Sequence, residues 1–160
     1  SSGEEPYTMA MVVDDFVCRH PGTHYRIMAT DISTRVLAQA KRGVYTEERI
    51  AKVPKPFLKK YFQKGVGSSD GFVKVKEDLR RMVHFDHFNL MGDFPWREAI
   101  DVIFCRNVMI YFNRETQQEL VSKFHQALTP GGYLFIGHSE SISGLKHSFT
   151  QIDATAYQKR

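Results

Sequence analysis

Asp101-Val102-Ile103-Phe104-Cys105-Arg106-Asn107-Val108-Met109-Ile110-Tyr111-Phe112 is the stretch on which the fold turns. After Asp101 it opens with a short continuous apolar run, the signature of a strand buried on both faces. Beyond it, Arg114 to Leu128 reads as a helix ended by Pro130-Gly131-Gly132, and Tyr133-Leu134-Phe135-Ile136-Gly137 reads as the next strand. Strand, helix and strand in that order predict a parallel pair, since the crossover helix returns the chain to the same end of a sheet. The tail, Phe149 to Gln158, has the Ile, Phe, Thr and Tyr content of one or two edge strands.

The same rhythm holds upstream. Pro6 to Cys18 predicts a helix with proline in its first turn and apolar Met9, Met11, Val12, Val13, Phe16 and Val17, stopped by His20-Pro21-Gly22. Tyr25 to Thr30 predicts a strand ending at Asp31, and Ser33 is placed to cap a helix from Thr34 to Lys41 that Gly43 closes. The fold class is therefore α/β, a doubly wound and mostly parallel sheet whose ligands gather at the strand carboxyl ends. Residues 54–88 break the rhythm. Pro54 to Phe62 is helical, Lys64 to Gly71 is a turn cluster, and Phe72 to Lys76 alternates with period two, so a small inserted antiparallel subdomain is expected there.

Composition narrows the function classes. A chain of 160 residues is one ordinary domain. Its net charge of +4 is scattered among acids, with no basic stripe carrying interleaved aromatics, which argues against nucleic acid. No apolar run approaches a membrane span. Cys18 and Cys105 lie in apolar contexts without metal-ligand spacing, predicting buried free thiols in a reducing cytoplasm and no metal. Ser1-Ser2-Gly3-Glu4-Glu5 has neither the basic nor the apolar region of a signal peptide.

Several residues fall on the predicted ligand edge. Asp31 stands where this fold commonly places an acid to accept two ribose hydroxyls, and the position suits a helix-capping aspartate equally. Glu4 and Glu5 open a helix where a phosphate site would carry base. They suit a cofactor with a sulfonium and an amino group, or simply complement the helix dipole. Asn89, with Leu90, follows one run, and Asn107, with Arg106, follows another; asparagine offers donor and acceptor to an adenine edge, and is also an ordinary turn residue. Tyr111 and Phe112 read by default as core aromatics.

Together these segments resemble the chemotaxis-receptor methyltransferase family along essentially the whole chain. The resemblance is carried by Ser2-Gly3-Glu4-Glu5-Pro6-Tyr7, Ala29-Thr30-Asp31-Ile32, Phe88-Asn89-Leu90, the twelve residues from Asp101 to Phe112, and Gly137-His138-Ser139-Glu140. It implies methyl transfer from S-adenosylmethionine to glutamate carboxylates of bacterial chemoreceptors, leaving S-adenosylhomocysteine. It implies that Glu5, Asp31, Asn89, Leu90, Arg106 and Asn107 border the cofactor, and that Tyr111 and Arg106 orient the reacting groups. A first strand and an N-terminal helical domain precede this region in the family. On that expectation residues 1–160 are the catalytic domain, incomplete at its N-terminus, with the first strand outside this chain and poor activity in isolation. Some family members also bind a receptor C-terminal pentapeptide on the small sheet, which points to Gly65, Gly67, Gly71, Phe72, Lys74 and Lys76, with Phe72 to Lys76 offering the open edge. A methyltransferase with another substrate, or a non-catalytic receptor-binding adaptor, are the alternatives.

Overall fold

The computed structural model describes residues 2–96 and 100–160, which pack as two compact units, Ser1–Asn89 and Leu90–Arg160. In the first, helix α1 (Glu4–Val17) precedes strand β1 (Ile27–Asp31), helix α2 (Thr34–Arg42) and strand β2 (Val44–Thr46). Helix α3 (Lys55–Tyr61), strands β3 (Phe62–Lys64) and β4 (Phe72–Val75), the one-turn helix α4 (Glu77–Arg80) and strand β5 (Val83–His87) complete it. β1 and β5 are parallel in the register Ile27↔Val83 to Asp31↔His87, so Asp31 and the segment leading to Asn89 leave the same end of the pair. Ser33 caps α2 as expected, its hydroxyl accepting from the Val36 amide at 3.4 Å.

The inserted sheet differs from expectation in extent and order. It is built from β2, β4 and β3, with β4 in the middle, and so begins at Val44 rather than near Pro54. β5, inside the expected 54–88 interval, belongs to the parallel pair instead. Alternation in β4 is as predicted, with Val73 and Val75 buried between exposed Phe72 and Lys74. Its backbone, however, is paired on both sides, Lys74 with Val44 and with Gln63, so Phe72 to Lys76 is not an open edge. Period-two patterning reports which face is buried and is silent on whether a strand is central. The open ladder edges lie on β2 and β3.

The core of this unit is rich in tyrosine. Tyr7, Ala10 and Met11 form the buried stripe of α1, at the i, i+3, i+4 spacing of one helix face. The rest of its expected apolar face is wetter, with Val12 57% and Phe16 49% exposed. The unit's three buried phenols reach backbone: Tyr7 donates to the Ala40 carbonyl at 3.0 Å, Tyr45 to that of Ser2 at 2.9 Å and Tyr61 to that of Met11 at 3.2 Å. Each burial thus carries a satisfied hydroxyl.

The second unit contains β6 (Ile100–Cys105), helix α5 (Arg114–Ala127), β7 (Leu128–Ile136), β8 (Phe149–Asp153) and β9 (Ala156–Lys159) in sheet order β6-β7-β9-β8. β6 and β7 are parallel, Cys105 beside Ile136, while β9 and β8 form an antiparallel hairpin on the far side. Asn113 caps α5, accepting from the Thr116 amide at 2.9 Å, and the helix buries Leu120, Val121 and Phe124 against Cys105, Leu134 and Ile136. The expectation that β6 is buried on both faces is corrected on one of them. Val102 is 42% and Phe104 46% exposed, because α5 covers the opposite face, and Phe104 stacks on Phe135 at 4.7 Å.

Candidate functional site

The predicted residues fall in two groups, one at the strand carboxyl ends of each unit. In the first unit Asp31 ends β1 and is partly buried, its Oδ1 accepting from the Ser33 amide at 2.8 Å while its carbonyl accepts from the Phe88 amide at 3.2 Å. Both readings of this aspartate thus keep support, since it braces the helix entry and also points from a strand end. Asn89 is exposed two residues beyond β5. Glu5 sits partly buried in the first turn of α1, just after Gly3, whose φ of 98° favours glycine and whose added Cβ would meet the Tyr45 hydroxyl at 2.7 Å. Glu4 is committed elsewhere, in an ion pair with Arg49 and accepting from Ser2 Oγ at 2.7 Å.

In the second unit Arg106 and Asn107 follow β6, both exposed, and Asn107 has φ 58°, left-handed backbone that asparagine tolerates better than most residues. Leu90 packs against the core of this unit. Tyr111 departs from its expected place in the core and is 80% exposed, on the short 3-10 turn Met109–Tyr111, whereas Phe112 packs inward as predicted. Gln117, on α5, holds that turn by donating to the carbonyls of Met109 at 2.9 Å and Phe112 at 3.0 Å. An aromatic ring held outward by a braced turn has no packing role to explain it.

Sequence reasoning gave Glu140 no role, and the structure does. It is the buried charged residue of the chain among those described, 8% exposed. Its Oε1 accepts from the amides of Val108 at 2.9 Å and Met109 at 2.7 Å, and its Oε2 from Asn107 at 2.9 Å and Gly137 at 2.6 Å. Four amides on one carboxylate satisfy the charge without a counter-cation. They also remove Glu140 from any hydrolase triad with its exposed neighbours His138 and Ser139. Cys105, beside it, is pushed up to about 12 by burial and then by the Glu140 charge, so this thiol is inert near neutrality. Cys18, expected to be buried, is exposed, and both cysteines are free.

The donor set fits a cofactor without phosphates. Consecutive backbone amides at a strand end are a ready anion nest, and here the nest of Asn107 to Met109 is filled from within by Glu140. The predicted residues offer carboxylate and carboxamide, suited to ribose hydroxyls, an amino group and an adenine edge, and the Arg106 guanidinium, suited to a carboxylate. A separate cavity of about 580 Å³ in the first unit, lined by Arg26, Lys41, Arg81 and His84 among others, includes none of the predicted site residues.

Comparison with known proteins agrees with this chemistry. The chain matches the family described as CheR methyltransferase, SAM binding domain, over residues 1–158. It is similar to a chemotaxis protein methyltransferase of Escherichia coli, 41% identical over 158 residues, covering 98% of this chain and 55% of the relative. A relative of the same description in Borreliella burgdorferi is 45% identical over 150 residues, covering 92% and 52%. Chemotaxis protein methyltransferase 2 of Pseudomonas aeruginosa is 40% identical over 159 residues, covering 98% and 56%. The chain thus spans about half the length of these curated relatives.

Proposed function

Since the chain belongs to the CheR methyltransferase family through its S-adenosylmethionine-binding domain, we propose that it serves the transfer of a methyl group to glutamate side chains of bacterial chemoreceptors in the cytoplasm. The family match over residues 1–158 carries this reading. S-adenosylmethionine supplies a methyl group activated by its sulfonium. A glutamate carboxylate, ionised near neutrality with an unperturbed pKa of about 4.3, needs no general base to accept it. The task left to the protein is alignment, which alone can lower a barrier by roughly 7–11 kcal/mol. Arg106 and the outward Tyr111 are assigned to orientation, and Glu5, Asp31, Asn89, Leu90 and Asn107, again with Arg106, to holding the cofactor. In this reading a proton-transfer residue has no place, which agrees with the commitment of Glu140 to backbone amides.

Docking of a receptor C-terminal pentapeptide is proposed on the inserted sheet, by strand addition. Because β4 is central, the acceptor is assigned to the outer edge of β3, Phe62–Lys64, which runs directly into the loop bearing Gly65, Gly67 and Gly71. Lys74 and Lys76 then act only through charge; Lys76 already donates to the Lys59 carbonyl at 2.8 Å. The test of the whole reading is transfer of radiolabelled methyl groups by the full-length protein to a receptor cytoplasmic fragment. Label released by mild alkali, as an ester is, supports it. Alkali-stable label, label on RNA alone, or cofactor-independent receptor binding without transfer would assign another substrate or an adaptor role.

A further inference from the structure

We propose that Glu140 is a positioning residue for the cofactor: a built-in anion that occupies the backbone nest after β6 and thereby holds Arg106 and Asn107 in their binding conformation. The inference rests on the assignment of Arg106 and Asn107 to the cofactor site. The geometry is specific to a carboxylate. Three consecutive amides, Asn107, Val108 and Met109, converge on one side chain, and the fourth, Gly137, comes from the adjacent strand end. The Glu140 amide returns the turn by donating to the Gly137 carbonyl at 3.0 Å, so the carboxylate arrives back at the strand ends it ties together. Since β6 and β7 are parallel neighbours, Cys105 beside Ile136, one charge staples both carboxyl ends.

Two features show that the arrangement is built and closely fitted. A Cβ at Gly137 would come within 2.7 Å of Glu140 Oε2 and 3.1 Å of the Asn107 amide, so the approach needs glycine there. Asn107 is the non-glycine residue with positive φ among those described, and such a conformation persists where surrounding contacts enforce it. Its amide bond to Glu140 is such a contact. The Asn107 side chain, whose Nδ2 would lie 3.4 Å from a Cβ at Gly137, is directed by the same backbone torsions, which links a buried charge to the strand ends. Left vacant, the nest would attract any small anion; filled, it directs the loop toward a cofactor that has no phosphate.

The experiment titrates S-adenosylhomocysteine into the full-length protein by calorimetry, for the wild type, Glu140→Ala and Glu140→Gln, each with excess sodium formate or sodium chloride at equal ionic strength. Loss of the anion is expected to weaken binding by about tenfold or more, the scale on which small misplacements act. Formate is expected to restore a large part in Glu140→Ala, where a carboxylate-sized space is vacant, and none in Glu140→Gln, whose amide fills the space and turns donors toward donors. Chloride should restore neither. Wild-type affinity in both variants, or weakening that formate leaves untouched in Glu140→Ala, overturns the proposal. If Glu140→Ala fails to fold, Glu140→Gln with wild-type affinity is decisive against it. Amide NMR separates the two levels: wild type that binds no S-adenosylhomocysteine, while Glu140→Gln still displaces the Asn107, Val108, Met109 and Gly137 resonances, sinks the functional reading and leaves the staple standing.

Discussion

The two units satisfy their buried polar groups by opposite means. In the unit ending at Asn89, three buried tyrosine hydroxyls from different elements reach out to backbone carbonyls, tying α1, α2, α3 and the inserted sheet together at long sequence separation. In the unit beginning at Leu90, the core mixes aliphatic residues with Phe124, Phe149 and Tyr157, and one carboxylate collects four amides around two neighbouring strand ends. Phenols disperse the polar contacts over a surface, so the loss of one is local. A single buried charge concentrates them, and any residue that touches it inherits its importance.

The sharpest break should come at Gly137. Replacing it with valine forces a side chain into the Glu140 carboxylate and the Asn107 amide, and overpacking of this kind is expected to cost about 3 kcal/mol. Gly3→Ala in the other unit adds a single methyl, which meets the Tyr45 hydroxyl at 2.7 Å and Ala40 Cβ at 3.0 Å at a φ of 98°, and should cost less, about 2 kcal/mol, in the same denaturant titration. Equal costs would mean that the concentrated arrangement confers no special sensitivity.

Asp31 probes the ligand edge of the first unit. Asp31→Ala should weaken S-adenosylhomocysteine binding by about 1.5–3 kcal/mol, the range for hydrogen bonds to a charged group, and lower stability by about 1 kcal/mol through loss of the Ser33 contact. Unchanged affinity would leave this aspartate a helix-entry brace and no more.

Alkali should also single out Cys105. Burial raises the Cys105 thiol to about 12 from the model-compound value 9.0. The unfolded chain therefore loses this proton first, the native state binds more protons over that interval, and stability falls as pH rises from about 9 towards 12, by roughly 1.4 kcal/mol per pH unit for this group. Tyr7, Tyr45 and Tyr61 are likewise raised by burial, so their loss of stability begins above 10.0. Cys105→Ala should flatten the decline between pH 9 and 10, as followed by thermal melts. A decline of unchanged slope would remove Cys105 as its source.

The smallest expected effect on stability is at Tyr111. With its ring 80% exposed, Tyr111→Ala should change unfolding free energy by less than about 0.5 kcal/mol. The same change should markedly slow methyl transfer if the ring orients the reacting groups. A large loss of stability would show that the ring packs after all.

Much of this was legible in the sequence, and the failures share a cause. Ser33 and Gly43 act through near neighbours, and local patterns placed them and the strand Asp101 to Cys105 well. The middle position of β4 was hidden because pairing partners β2 and β3 lie far apart along the chain and periodicity records only burial. The exposure of Val102 and Phe104 was hidden because an apolar run does not say which of its faces a helix covers. Glu140 was visible only as part of a family motif, since a carboxylate next to His138 and Ser139 looks catalytic or exposed until the four amides are seen. Tyr111, by contrast, stood in a readable stretch of the chain, where the default reading as a core aromatic failed and the family resemblance gave the ring a role in orienting the reacting groups.

The central claim is that this chain contributes an S-adenosylmethionine site to a methyltransferase, and its most direct test is calorimetric titration of S-adenosylhomocysteine into the full-length protein, paired with thermal melts. The account predicts one equivalent bound and a melting temperature that climbs with ligand concentration, as a ligand selective for the native state requires. No heat of binding and no shift at saturating ligand would contradict it.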